Sequence, residues 1–81
     1  LFFPKGKLLD EIGERFETDK ATIERALNDV YINTETRSGV LDLSLKLVSE
    51  LIETEWLNRR RNGFVRLGRR GRRYVEATNG A

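Results

Sequence analysis

The Asn62-Gly63 pair restricts the fold of this chain more than any other feature of its sequence. A type I′ turn needs positive φ at both central positions, and Asn-Gly meets that need with the least strain. Trp56 and Leu57 stand before the pair, and Phe64, Val65 and Leu67 after it. The surrounding stretch "NRRRNGFVRLGRRGRR", residues 58–73, packs eight arginines into sixteen positions. A disordered cationic tail has no use for such a turn framed by apolar residues. The segment therefore reads as a folded β-hairpin that presents arginine to a partner.

Charge along the chain is strongly polarised. The net charge of +2 hides seven basic and twelve acidic side chains in residues 1–58, against eight arginines and Glu76 alone in residues 59–81. Such asymmetry points to a polyanionic partner for the basic end. That all eight cations are Arg suits bidentate phosphate recognition. With 81 residues, the chain reads as a single domain, 1–81, with a thin core, and its lack of any Met suggests a piece of a longer protein. It has neither Cys nor His, which excludes disulfides, the usual zinc patterns and the commonest catalytic base and nucleophile. Apolar runs are short and no signal peptide opens the sequence, so an intracellular location without membrane insertion is expected.

Three helical patterns precede the hairpin. Leu8, Leu9, Ile12 and Phe16 form one stripe of a helix over about 6–17, with Glu11 and Arg15 paired on its wet face and Gly13 marking a close contact. In "DKATIERALNDVY", Ile23, Ala26, Leu27, Val30 and Tyr31 repeat at helical spacing, with Thr18 or Asp19 as the cap. "INTETRSG", 32–39, reads as a loop. "VLDLSLKL" alternates as a strand would, but Leu41, Leu45, Val48, Ile52 and Trp56 also gather on one side of a helical wheel. Because that pattern runs unbroken to Trp56, a third helix over about 42–56 is expected, with a short strand possible at 39–41. After the hairpin, "GRRGRRYVEA" carries much glycine, and only a short helix docked by Tyr74 and Val75 is expected. "LFFPKG" at the start has no helix signal and reads as a strand or an interdomain remnant.

The segment "SELIETEWLNRRRNGFVRLGRRGRRYVEA" resembles the end of a winged helix-turn-helix domain of the MarR and PadR type. In that family an apolar pair closes the third helix, a basic hairpin wing follows, and a Leu-Thr-x-x-Gly-x-x-Tyr-Leu-like segment comes next. Trp56-Leu57, Arg59 to Leu67, and Leu67, Gly71, Tyr74 and Val75 match these in turn, while Gly68 stands where the family usually has Thr. About 30 residues match well and the rest only by helix order. The resemblance implies a mainly α fold with a small β-hairpin: a winged helix of three helices plus wing. Its third helix would lie in the major groove and its wing along the adjacent backbone. One departure is plain: about ten residues, Ile32 to Leu41, separate helices that the family joins by three or four.

These expectations define a candidate surface. Arg59, Arg60, Arg61, Asn62 and Arg66 lie on the wing, and Arg69, Arg70, Arg72 and Arg73 extend it. Residues 59–75 hold no acid, whereas a surface serving only solubility mixes both signs, so nucleic-acid contact is the favoured reading. Arg37, Ser38 and Ser44 are candidates to meet a phosphate at the start of the third helix. The wet arc of that helix would show Asp42, Lys46, Glu50 and Glu53; three acids and one base make a poor phosphate surface, and a solvated face is favoured over cytosine contacts. Trp56 reads as core rather than a stacking platform, and Phe64 is the better candidate for an exposed aromatic.

Enzymatic readings fail on inventory. Asp10, Glu11 and Glu14 lack a basic partner, Asp42, Glu53 and Glu55 fall on different faces, and no phosphate-binding glycine motif occurs. No cofactor or metal is expected. The expected function is double-stranded DNA binding through the arginine-rich wing and the third helix. Two rivals stand beside it. One is a protein-docking winged helix that uses Leu43, Leu47, Leu51 and the acidic arc to bind a partner, another domain or a second copy; Leu43 and Leu47 both exposed would favour it, and both buried would weaken it. The other is a binder of structured RNA.

Overall fold

The computed structural model describes residues 9–79. They form four helices, α1 (Leu9–Arg15), α2 (Lys20–Asn33), α3 (Leu45–Glu53) and α4 (Arg69–Asn79). Three short strands, β1 (Thr36–Arg37), β2 (Leu57–Arg59) and β3 (Phe64–Leu67), make an antiparallel sheet in the order β1-β3-β2. The chain is mainly helical with one small sheet, one helix and one strand richer than three helices plus a hairpin. Residues 6–8 of the expected first helix and the "LFFPKG" segment lie outside the described residues.

In α1, Leu9 and Ile12 are buried and Phe16 packs against the core from just beyond the helix. Its end is closed by backbone bonds from Thr18 N–H to the Gly13 carbonyl (2.8 Å) and from Glu17 N–H to Glu14 (3.3 Å), with Glu17 at φ 55°. That is a Schellman closure. A Cβ on Gly13 would come within 2.6 Å of the Thr18 carbonyl, 3.6 Å of Ile23 Cδ1 and 3.7 Å of Lys20 N, so Gly13 marks a close approach both to this turn and to the start of α2.

Helix α2 buries Ile23, Ala26, Leu27 and Val30 as its periodicity requires, but Tyr31 stays 40% exposed. Asp19 occupies the cap position through its carbonyl, which accepts from Thr22 and Ile23 N–H; its side chain makes no capping bond. The Thr18 hydroxyl donates to the Phe16 carbonyl instead, so neither expected side-chain cap forms. After Asn33 a γ-turn reverses the chain: Thr34 sits at φ 69°, ψ −52°, and Glu35 N–H bonds the Asn33 carbonyl at 2.7 Å. The expected loop therefore begins with helix and continues as β1, which pairs Thr36 with Val65 and Arg37 with Phe64. A 3₁₀ turn, Ser38–Val40, occupies most of the place where a short strand was expected.

The third helix is shorter than 42–56, and its face is rotated. Asp42 takes φ 60°, and Ser44 caps α3 by accepting the Leu47 N–H at 3.1 Å, so helix begins only at Leu45. Leu47, Val48 and Leu51 turn inward, Leu47 fully buried, while Leu45 is 76% exposed. Leu41 reaches the core from outside the helix. The sequence carries leucine at 41, 43, 45, 47 and 51, so hydrophobic period alone does not choose a face; the Ser44 cap sets the start of the helix, and packing against the core sets the face. Trp56 is buried as expected, but beyond a Schellman closure in which its N–H bonds Leu51 (2.8 Å) and Glu55 takes φ 68°.

The hairpin forms where Asn-Gly places it. Asn62 has φ 59°, ψ 33° and Gly63 φ 78°, and Phe64 N–H closes the turn on the Arg61 carbonyl. Its strands pair Leu57 with Leu67, Asn58 with Arg66 and Arg59 with Val65, and Arg60 N–H bonds Phe64 at 2.8 Å. Val65 and Leu67 point into the core with Leu57, whereas Phe64 and Arg66 face outward.

Helix α4 is longer than glycine content suggested. The glycines permit backbone approach: a Cβ on Gly68 would lie 2.3 Å from the Glu55 carbonyl, and one on Gly71 2.2 Å from that of Trp56. This lets Gly68 and Arg70 donate their N–H groups to the Trp56 and Glu55 carbonyls, both at 3.0 Å, locking α4 onto the end of α3. Val75 is buried and Tyr74 packs partly on the core, as expected of the docking pair. Burying each such large apolar side chain contributes roughly 1.5–3 kcal/mol. Among the described residues, no helix is long and apolar enough to cross a membrane.

Candidate nucleic-acid interface

Strand pairing sorts the candidate residues by face. Side chains alternate along each strand, so the inward set of Thr36, Leu57, Val65 and Leu67 leaves Arg37, Asn58, Phe64 and Arg66 on the outer face. Arg37 stacks its guanidinium over the Phe64 ring, 5.3 Å from the centroid. Phe64 is thus half-buried beneath an arginine and is not a free stacking platform. The sheet brings Arg37, 22 residues or more upstream in the sequence, next to the hairpin.

Not all hairpin arginines are equally available. Glu35, just ahead of β1, pairs with Arg60 at 3.5 Å and with Arg66 at 3.9 Å, each of the three side chains between 38% and 50% exposed. Only the pairing of β1 with β3 brings Glu35 to the hairpin, so no local pattern in the sequence marks it. Arg61 and Asn62 are exposed in the hairpin turn, and Arg59 is exposed on β2 opposite Val65, on the side of the sheet away from Arg60 and Arg66.

Arg70 has a different role from the one expected. Its guanidinium lies 4.7 Å over the Trp56 ring and donates to the Thr54 carbonyl at 3.2 Å. Burial lowers its pKa, partly opposed by Glu55. It ties the end of α3 to α4, which makes it a scaffold residue first. Arg69 and Arg73 are exposed beside it, and Arg72 pairs with Glu76 at 3.8 Å.

The expected cluster at the start of α3 is not assembled as envisaged. Ser38 is half-buried in the 3₁₀ turn, Arg37 belongs to the sheet, and the Ser44 hydroxyl is engaged as the cap. Lys46 is exposed in a shallow groove of about 280 Å³ with Leu45, Ser49, Glu50 and Glu53. Of the expected acidic arc, Glu50 is only 12% exposed and meets Arg15 at 3.5 Å, so it belongs to the packing of α3 beside the end of α1. Among the described residues, no three acidic side chains gather into a group that could hold a metal ion.

A second concavity lies at the base of the hairpin. Trp56 and Tyr74, edge to face with centroids 5.6 Å apart, line a cleft of about 290 Å³ with Ala77, Arg69, Arg70 and Arg73. The Tyr74 hydroxyl donates to the Glu24 carboxylate, and this bond, with burial, raises the Tyr74 pKa. Arg69 and Arg73 share one side of α4, four residues apart, a spacing visible in the sequence once helix is granted. No protein-family model, curated protein or solved structure matches this chain.

Proposed function

We propose that the chain is a winged-helix domain that binds double-stranded DNA inside the cell, gripping the backbone with its arginine-rich hairpin and adding limited base contact from α3. The observation that carries this reading is the gathering of Arg37, Arg60 and Arg66 on the outer sheet face, with Arg61 exposed in the adjoining turn. Guanidinium groups on a rigid sheet suit phosphate oxygens, which they meet through paired N–H donors.

The winged-helix reading is supported by a helix ahead of the hairpin, a third strand on its outer side, and a helix after it. The linker between α2 and α3 holds a strand and a 3₁₀ turn in place of a tight turn. On α3, Leu45, Lys46, Ser49 and Glu53 form the exposed side available to a groove. Exposure of both Leu43 and Leu47 would have favoured the protein-docking alternative; Leu47 is fully buried and Leu43 half-buried, so that support is missing.

The test is fluorescence anisotropy on a 20-base-pair duplex across a salt series, beside the Arg59→Ala/Arg60→Ala/Arg61→Ala variant. Contact with about four or five phosphates gives a slope of log affinity against log salt near −4, and the variant loses about two to three units of it. A variant that binds like the parent, or a parent that prefers hairpin RNA of equal length, would count against the proposal.

A further inference from the structure

The cleft at the base of the wing is built from two unlike halves. Its floor is apolar, with Trp56 only 5% exposed and Tyr74 set edge to face against it. Its rim is cationic: Arg69, Arg70 and Arg73 line it, and no acidic residue does. Among the described residues Arg69 and Arg73 have no ion-pair partner. Like charges four apart on a helix face repel one another, so this pair lowers its energy when an anion comes between or beside it.

We infer that this cleft receives an unpaired nucleotide, so that the preferred target is a duplex carrying a single-stranded extension. The inference rests on the DNA-binding reading above and names the class of substrate. Three features favour a nucleotide. One turn of helix, roughly 6 Å along the axis, separates Arg69 from Arg73, which lets the two meet successive phosphates of one strand. A base offers a flat ring to Tyr74, Ala77 and the outer side of the Arg70 guanidinium, as single-strand binding sites do. The cleft also continues the wing, since Arg69 follows the last residue of β3 by two positions. An acidic peptide with one bulky apolar residue carries similar charge, but nothing in the fold links it to the wing.

The experiment compares the blunt 20-base-pair duplex with the same duplex bearing a four-thymine extension, using anisotropy and the emission of Trp56, the one tryptophan in the chain. The extension tightens binding about five- to thirty-fold and changes Trp56 emission, which the blunt duplex leaves alone. Ala77→Phe, at an exposed position of α4, fills the cleft; it abolishes the gain and leaves blunt-duplex affinity as it was. Arg73→Glu reverses a rim charge and gives a second variant, with helical circular dichroism as the check on folding. Blunt-duplex binding with no gain from the extension overturns this inference and leaves the DNA reading standing. No binding to either probe overturns both. A response of Trp56 to the peptide Glu-Glu-Phe-Glu-Glu, with none to the extension, overturns it in favour of a protein partner.

Discussion

Glu35→Gln is the sharpest single test of the outer sheet face. Its carboxylate sits 3.5 Å from Arg60 and 3.9 Å from Arg66, and Gln keeps the shape while removing the charge. Both pairs are about half exposed, so each contributes at most about 1 kcal/mol to stability. Together they set an upper limit of about 2 kcal/mol, so the melting temperature should fall by no more than about 8–16 °C. Affinity for duplex moves the other way. A carboxylate about 8–10 Å from a phosphate repels it by roughly 0.4–0.5 kcal/mol in water before salt screening, and screening at 0.1 M cuts this to about a half or less. Two or three phosphates within reach, together with two released guanidiniums, bring the total to about 0.5–1 kcal/mol, a two- to five-fold tighter complex. Anisotropy titration of parent and variant reads this directly, and the salt slope should steepen by about one unit. Equal affinity with an unchanged slope would refute the reasoning, because it would mean that Arg60 and Arg66 never approach phosphate.

Three further outcomes probe the scaffold. Leu47→Ala should cost about 2–5 kcal/mol in urea unfolding and Leu45→Ala about 0.5 or less; the reverse order would restore the helix face drawn from the wheel. Gly71→Ala would gain up to about 1 kcal/mol in an isolated helix, but its Cβ would press on the Trp56 carbonyl, so a net loss of about 2 kcal/mol or more is expected, and a raised melting temperature would disprove the close approach. Tyr74 has its pKa raised by its bond to Glu24, so its contribution is complete below about pH 10 and is lost as pH rises through the raised folded value. Tyr74→Phe should flatten that alkaline decline in melting temperature, and an unaltered decline would show that another group causes it.

The parts of this fold legible in the sequence are those where one residue type has one local solution. Asn62-Gly63 needed no tertiary information to specify its turn, and the stripe of Ile23, Ala26, Leu27 and Val30 left a single face to bury. Elsewhere the usual signals were absent or pointed the wrong way. The helices α1 and α3 both close with a glutamate, Glu17 or Glu55, in the left-handed region where glycine is the common marker. With no glycine at Glu55, the wheel ran on to Trp56. Conversely, the glycines that argued against α4 are there because backbone carbonyls of Glu55 and Trp56 pass within a side chain's reach. Strand β1 is two residues long, and its pairing partner lies nearly thirty residues away; no window of local sequence contains that information.

The same division governs the charge. Eight arginines in a row of sixteen invite a count of eight phosphate contacts, yet the fold assigns several of them elsewhere. Arg60 and Arg66 share Glu35, Arg72 pairs with Glu76, and Arg70 holds the end of α3 against α4. Arg59, Arg61, Arg69 and Arg73 keep no ion-pair partner among the described residues, and Arg37 joins them from a strand that lay hidden in a predicted loop. Surface ion pairs of this kind are worth little and open easily, so Arg60 and Arg66 can still be recruited. Five cations engaged at once give a salt slope between about −4 and −5, and recruitment of both paired arginines would move it toward −6. The slope therefore separates binding by the arginines without an ion pair, spread over the hairpin, β1 and α4, from binding that also lays Arg60 and Arg66 along the backbone.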